Sequence, residues 1–321
     1  MIERLEFATA SEEDRRDLHE VVSAWAVENK PGKEPPSYDA CAALWSHRDE
    51  LGFEPARFVV AREAGRIIGY AQVQVSVAAA NAHLALVTVV VLPSRRRRGV
   101  GTALLRGVPA LLDGRTVIES WSVFRGSPAE HFAAARGFRV VTSMTSQRLE
   151  GFSLPHVGAP PAGYRLVTWK GSAPDEFVGA CADALNSITD APFGETTLDA
   201  ARNTVEGVRA AEAASSAAGK ERWVVLLLHD DAPAGVTVVE RQGVDPTVAV
   251  QLHTAVLPAH RGKGLGRLIK ARMLHNLTGV TKVLTRTSTA NEPMLRLNRS
   301  LGFEDDYVYF AVQAKTADLH P

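Results

Sequence analysis

The chain has 321 residues, 45% hydrophobic and 22% charged, with 36 basic side chains set against 36 acidic ones. That length favours two globular domains. Zero net charge excludes a general attraction to nucleic acid or to an anionic membrane, so any anion binding has to be local.

The opening stretch MIERLEFATA places charges inside its apolar run, unlike a secretory leader, and the longest apolar runs, such as Leu84–Leu92, are strand-sized. A cytoplasmic protein is expected. Cys41 and Cys181 have no CxxC or Cys/His cluster beside them. One disulfide is possible, but two free buried thiols and no metal site are the simpler reading.

In chain order, a short strand is expected at Arg4–Ala8, then helices at Glu12–Glu28, capped by Ser11, and Tyr38–Glu50. Strands rich in β-branched residues follow at Arg57–Arg62, Ile67–Val75 and His83–Leu92. The run RRRRGVG (Arg95–Gly101) leads into a helix containing Gly107 and Pro109. Proline removes a helix hydrogen bond and clashes with the preceding turn, so that helix should be short or kinked. A strand at Thr116–Val123, a helix and a closing strand at Phe138–Leu149 end the first half, and the Pro/Gly-rich Ser153–Tyr164 reads as a linker.

The order then repeats. A strand at Tyr164–Thr168 precedes helices at Pro174–Ser187, capped by Ser172, and Leu198–Ala217. Strands at Arg222–Leu228, Gly235–Glu240 and Thr247–Leu257 lead to an unbroken helix, Leu265–Asn276, then a strand at Thr281–Ser288, a helix and a closing strand at Asp306–Gln313. Four landmarks recur at an offset of 165 residues: Phe58 and Trp223, Pro93 and Pro258, Arg96-x-x-Gly99-x-Gly101 and Arg261-x-x-Gly264-x-Gly266, and Gly137–Phe138 and Gly302–Phe303. Two copies of one α/β (α+β) domain are therefore expected, over residues 1–152 and 163–321, joined by 153–162. The copies could cover each other's sheet edge within one chain, so a monomer is plausible.

Each arginine/glycine motif sits where a strand passes into a helix. The first amides of a helix lack intrahelical partners and carry partial positive charge. Gly99, Gly101, Gly264 and Gly266 let an anion approach that backbone, while Arg96, Arg98, Arg261 and Lys263 add full charge, an arrangement suited to a diphosphate. The alternatives are a solvated basic surface or a nucleic-acid patch, against which stand the neutral net charge and the following glycines, and simple turn chemistry, against which stands recurrence in register. Neither the lysine-bearing phosphate loop nor G-x-G-x-x-G is present.

This motif after a hydrophobic strand, with a Gly-Phe pair 41 residues beyond its arginine, resembles the GNAT superfamily of acyl-CoA-dependent N-acyltransferases, twice over nearly the whole chain. The double occurrence is similar to bacterial tandem-GNAT proteins. The resemblance implies mixed, mostly antiparallel sheets flanked by helices, acetyl-CoA as acyl donor, no metal, and a small-molecule amine as acceptor. It places the pantetheine arm against Val89 and Val91, or Thr254 and Val256. The diphosphate would lie against Arg96, Arg97, Arg98, Gly99, Val100, Gly101 and Thr102, or Arg261, Gly262, Lys263, Gly264, Leu265, Gly266 and Arg267. Asn291 is equally a cofactor contact or a helix cap.

An alkyl ammonium with a pKa of about 10 needs a base before it attacks a thioester. Glu240 is the first candidate and His253 the second, although strand alternation turns His253 away from the face of Thr254. In the first copy Glu119 lies on a strand. Many members of the superfamily place a tyrosine four residues before the Gly-Phe glycine to protonate the departing thiolate, and here those positions hold Ala133 and Asn298. Asn298 still offers a hydrogen bond to sulfur or to a water. The second copy, with its unbroken helix, is therefore the favoured catalytic one. A non-catalytic acyl-CoA-binding protein is the alternative. Acceptor choice falls to Glu28–Tyr38 and Asn186–Glu195, where Asp190 and Glu195 either attract an ammonium group or are ordinary loop acids.

Overall fold

The computed structural model describes all residues except 31–33, 47–52, 152, 188–193, 200–201, 242, 244 and 320–321. The first half runs β1 (Ile2–Glu6), α1 (Glu12–Asn29), α2 (Tyr38–Ser46), β2 (Arg57–Glu63), β3 (Arg66–Val75), β4 (Leu84–Val91), α3 (Val100–Gly107), β5 (Val117–Phe124), α4 (Pro128–Ala134) and β6 (Arg139–Glu150). The second runs β7 (Tyr164–Lys170), α5 (Asp175–Asn186), α6 (Val205–Ala217), β8 (Glu221–His229), β9 (Ala232–Arg241), β10 (Val248–Val256), α7 (Leu265–Asn276), β11 (Lys282–Ser288), α8 (Glu292–Ser300) and β12 (Glu304–Lys315). No helix of the described residues is long and apolar enough to cross a membrane.

The chain forms two compact units, and their residues do not divide at the linker. Unit 1 comprises Met1–Thr142, Glu195–Asp199 and Tyr309–Pro321; unit 2 comprises Ser143–Gly194 and Ala200–Val308. Within unit 1 the strand order is β1-β2-β3-β4-β5 and then the later part of β12, antiparallel to β5 from Tyr309↔Phe124 to Lys315↔Val117. Within unit 2 it is β7-β8-β9-β10-β11 and then the later part of β6, antiparallel to β11 from Ser288↔Met144 to Lys282↔Glu150. Each unit is thus closed by the strand that belongs, by sequence, to the other copy, where the expectation was closure within 1–152 and 163–321. A strand edge accepts any segment with the right alternation, and only through-space pairing selects which one.

The central strands are buried on both faces, which explains their continuous apolar runs. In unit 1, Phe58 and Tyr70 pack toward Leu18 and Val21 of α1 and Trp45 of α2, while Val59, Ala71 and Val73 pack toward Leu104 and Leu105 of α3. Unit 2 repeats this: Val224, Leu226 and Val238 meet Val178 and Cys181 of α5, and Val225, Leu227 and Val239 meet Ile269 and Met273 of α7. Cys41 and Cys181 are buried free thiols, and burial pushes them up to about 11 and about 12.

Local signals are largely realised. Ser11 Oγ accepts from Asp14 N at 3.1 Å and caps α1. The helix holding Pro109 ends at Gly107 and tightens into a 3-10 turn over Val108–Leu111, while α7 runs unbroken. Two expectations fail. Ser172 is not the cap of α5; Pro174 stands at that position without a side-chain cap, and Glu212 Oε1 takes the nearby amide of Ala173 at 2.8 Å. The helix expected from Leu198 starts at Val205, capped by Thr204, because Leu198 and Asp199 belong to unit 1. Glu50, the expected end of α2, lies outside the described residues.

One glycine is demanded by close strand approach in each copy. A Cβ on Gly69 would meet Val90 O at 2.8 Å, and one on Gly235 would meet Ala255 O at 2.8 Å. Because the obstacle is backbone, Gly235→Ala should push β9 from β10 and cost roughly 1–3 kcal/mol, read as a lower urea midpoint.

Candidate functional site

In both units two neighbouring parallel strands pair only at their beginnings. β10 pairs with β11 from Val248↔Lys282 to Gln251↔Thr285, and β4 pairs with β5 from Leu84↔Val117 to Leu86↔Glu119. Beyond those points β10 continues against β9, as far as Val256↔Gly235, and β4 against β3, as far as Gly69↔Val91. The strands part into a slot that opens toward the arginine/glycine turn. Val89, Val91, Thr254 and Val256 all lie on the parted segments.

In both copies the turn is tied to the strand end in one way. Arg96 Nε donates to Val91 O at 3.0 Å, and Arg261 Nε donates to Val256 O at 2.9 Å. Gly99 and Gly264 are the left-handed caps of α3 and α7, with φ of 79° and 72°. Nothing lies within 4 Å of where their Cβ would be. Glycine is needed there for its backbone angle, and its exposed face leaves the first helical amides open to an anion. The second glycines do a different job from the one expected of them. A Cβ on Gly101 would meet the Phe132 ring at 3.3 Å and one on Gly266 would meet Leu297 Cδ1 at 2.9 Å, so they admit a neighbouring helix. Leu265 is likewise a core side chain. Val100 packs on the unit 1 core, and Thr102 Oγ1 accepts from Arg136 Nη2 at 2.5 Å.

The charge around the two turns differs. Arg96 holds Glu28 through both terminal nitrogens, at 2.6 and 2.5 Å. Arg95 pairs with Glu63, and Arg98 lies 3.8 Å from it. Arg97, where the second copy has Gly262, adopts φ of 61°. At the positions matching Arg95 and Arg98, unit 2 has a neutral partner: His260 Nδ1 meets Tyr164 Oη at 2.8 Å and Lys263 Nζ donates to the same phenol at 3.1 Å. Arg261, Gly262, Lys263, Gly264 and Arg267 are exposed. Carboxylates therefore offset the unit 1 turn.

Glu240 and His253 occupy the α5/α6 face of the unit 2 sheet. A β-bulge between Gln251 and His253 makes this possible, because Glu240 opposes Val250 while His253 opposes Val238. Without the extra residue the two side chains would face opposite ways. Thr254, on the other face, meets Thr237 Oγ1 at 2.8 Å. At the bulge the His253 carbonyl accepts from Thr237 Oγ1 at 3.1 Å and Gln251 Nε2 at 3.0 Å.

Glu240 is 2% exposed. It accepts from Ser215 Oγ and from Arg222 Nε at 3.0 Å, with Lys220 Nζ at 3.6 Å. Burial pushes its carboxyl up, but the Ser215 hydroxyl and the Arg222 and Lys220 charges outweigh that and hold it below the ordinary range. His253 is exposed at the surface, although much of the unit is packed round it. Depth, then the Arg222 charge, lowers it to about 4. At neutral pH the face thus presents an anionic carboxylate and a neutral imidazole. A cavity of about 370 Å³ is lined by Ser215, Lys220 and Arg222, the partners of Glu240, but not by Glu240 or His253.

The remaining candidates are dispersed. Asn291 Oδ1 accepts from Met294 N at 3.2 Å, a helix cap. Asn298 is wholly buried, and its amide hydrogens go to Gln147 Oε1 at 2.7 Å and Thr287 Oγ1 at 3.3 Å, so it has none left for a sulfur. Glu119 stands at the closed end of the unit 1 slot, buried and bonded to Trp121, to Thr196 Oγ1 at 2.6 Å and to Gln313. Glu195 pairs with Arg139 at 3.2 Å, and Asp190 lies outside the described residues. Arg222, Ser215 and Lys270 were missed by the sequence reading. Arg222 alone left a trace there, as a charge opening an otherwise apolar strand. No group of three or more metal-ligating side chains is positioned for a metal among the described residues.

The acetyltransferase (GNAT) family model matches residues 18–138 and 184–303, each span ending at a Gly-Phe landmark and short of the closing strands. The mycothiol acetyltransferase of Thermomonospora curvata is 31% identical over 77% of this chain and 79% of its own. That of Nocardia farcinica is 30% identical over 82% and 84%. A solved tandem GNAT protein from the clavulanic acid biosynthesis pathway is 26% identical and superposes with a TM-score of 0.76 over 98% of both chains. A GCN5-related N-acetyltransferase from Sphaerobacter thermophilus shares the fold, at 16% identity and a TM-score of 0.74 over 98% of this chain and 95% of that one.

Proposed function

The chain belongs to the acetyltransferase (GNAT) family, and from that premise we propose that it transfers the acetyl group of acetyl-CoA to a primary amine of a small molecule, with unit 2 as the catalytic unit. The observation that carries this is the unit 2 slot: strands that part after Gln251 and Thr285, leading to a glycine-capped helix start where Lys263 rests on a neutral phenol. Residues 261–264 and the first amides of α7 fit the diphosphate, and the parted edge of β10 at Thr254 and Val256 fits the amide-bearing arm. Bound acetyl-CoA supplies an activated acyl carbon.

This chain's residues then order the attack. The amine nitrogen bonds to the acyl carbon, the carbon–sulfur bond breaks with its electron pair on sulfur, and the ammonium proton leaves through water toward His253 and Glu240. The curated relatives act on mycothiol chemistry by name, so a mycothiol-precursor amine is the first acceptor to try. The Glu28 and Glu63 contacts support a non-catalytic role for unit 1.

The test is thiol release from acetyl-CoA across a panel of amines. Amine-dependent release is expected. Tight coenzyme A binding without release from any acceptor would favour an acyl-CoA-binding protein instead. Gly264→Val should lower coenzyme A affinity about tenfold in calorimetry, since a side chain at this φ costs roughly 1–2 kcal/mol and reshapes the turn. Gly99→Val should leave that affinity unchanged.

A further inference from the structure

The core of unit 2 holds a polar construction that the reaction above does not use. Lys270, on α7, is 2% exposed. Its Nζ donates to Asn298 Oδ1 at 2.6 Å and lies 5.0 Å from the centre of the Phe303 ring. Asn298 Nδ2 donates onward to Gln147 Oε1 and to Thr287 Oγ1, and Gln147 Nε2 donates to Asp305 Oδ1 at 2.8 Å. Every link points from the ammonium toward the carboxylate, so each amide is polarised in the same sense.

The repeat provides an internal control. At the positions 165 residues earlier the first copy has Leu105 and Ala133, both buried. The fold therefore packs this spot with two apolar side chains, and nothing in its architecture calls for a lysine. Burial pushes the Lys270 amine down to about 7. Three ion pairs stand on the surrounding elements: Arg299 with Asp305 at 2.6 Å, Arg148 with Asp306 at 3.3 Å and Lys282 with Glu150 at 3.0 Å. A buried amine kept at such a cost needs a use beyond packing.

Thr287 indicates the use. It lies on β11 two residues past Thr285, the last to pair with β10, and so borders the slot. Its hydroxyl oxygen accepts from Asn298, which leaves its own hydrogen to donate. Resting on the acyl-transfer reading of this slot, we propose that Lys270 is a positioning residue for thioester cleavage: through Asn298 it polarises the Thr287 hydroxyl, which stabilises the departing thiolate. No proton crosses the amide. The carbon–sulfur electron pair stays on sulfur, and the ammonium proton of the acceptor goes to the base described above.

The experiment titrates the thiolate of bound coenzyme A by its ultraviolet absorbance, in the full chain. Cys41 and Cys181, raised to about 11 and about 12, stay outside the window. The bound thiol should ionise about one unit or more below that of free coenzyme A titrated in the same buffer. The double variant Lys270→Leu/Asn298→Ala recreates the pair that unit 1 already packs. It should move the titration back up by about one unit and lower kcat about tenfold, with KM for acetyl-CoA nearly unchanged. Lys270→Met alone should shift both in the same direction. Identical titrations in the native and variant proteins would overturn the proposal. Failure of the native protein to bind coenzyme A would overturn the reading of the slot itself.

Discussion

Glu240→Ala should destabilise the protein by about 3–5 kcal/mol, read as a lower urea midpoint of the full chain. The cause is the partner left behind. Arg222 is 9% exposed and holds Glu240 through Nε and Nη2, so truncation strands a buried guanidinium. Glu240→Gln keeps the shape and a hydrogen-bonding oxygen, and should cost less stability while still lowering the rate of acetyl transfer. The pH dependence has a definite sign. The folded carboxyl titrates below the ordinary 4.5. Its contribution is therefore fully present above the unfolded value and is lost as pH falls through the lower folded one. The native chain should lose this increment in acid, and Glu240→Ala should show a flatter acid limb.

Lys270→Met should act in the opposite direction and stabilise the protein at neutral pH by roughly 2–4 kcal/mol. The folded amine titrates at about 7 against 10.5 when unfolded. That gap corresponds to a penalty of about 5 kcal/mol, from which about 1–3 is offset because Asn298 Oδ1 loses its donor. Here too the sign is fixed. The unfolded chain takes up the proton first, so the penalty grows as pH falls from 10.5 to about 7 and is complete below that. The stabilisation by methionine should shrink as the pH is raised toward 10.5. An unchanged urea midpoint at neutral pH would show that the amine is not buried as described. A more stable and slower enzyme would fit a charge held in the core for chemistry.

Much of the fold was legible because its signals are local. Ser11 reaches an amide three residues away, Pro109 clashes within one helical turn, and Gly264 meets its backbone demand by itself. The double motif located both slots, since a strand passing into a glycine-capped helix is a single short segment. The roles within the motif were less legible. Gly101 and Gly266 face helices α4 and α8, which follow much later in the chain. The Arg95–Arg98 run reads as an anion site, yet Glu28 and Glu63 come from elsewhere to meet it.

By itself the sequence determined the two copies, the order of their strands and helices, and where each strand hands over to a glycine-capped helix. Those features follow from sterics, alternation and capping that act within a few residues. Only the tertiary structure decided which closing strand completes which unit, that a bulge turns His253 to the side of Glu240, and that Lys270 meets Asn298 inside unit 2. Register, partner choice and burial depend on contacts between segments far apart in the chain, and no local spacing carries that information.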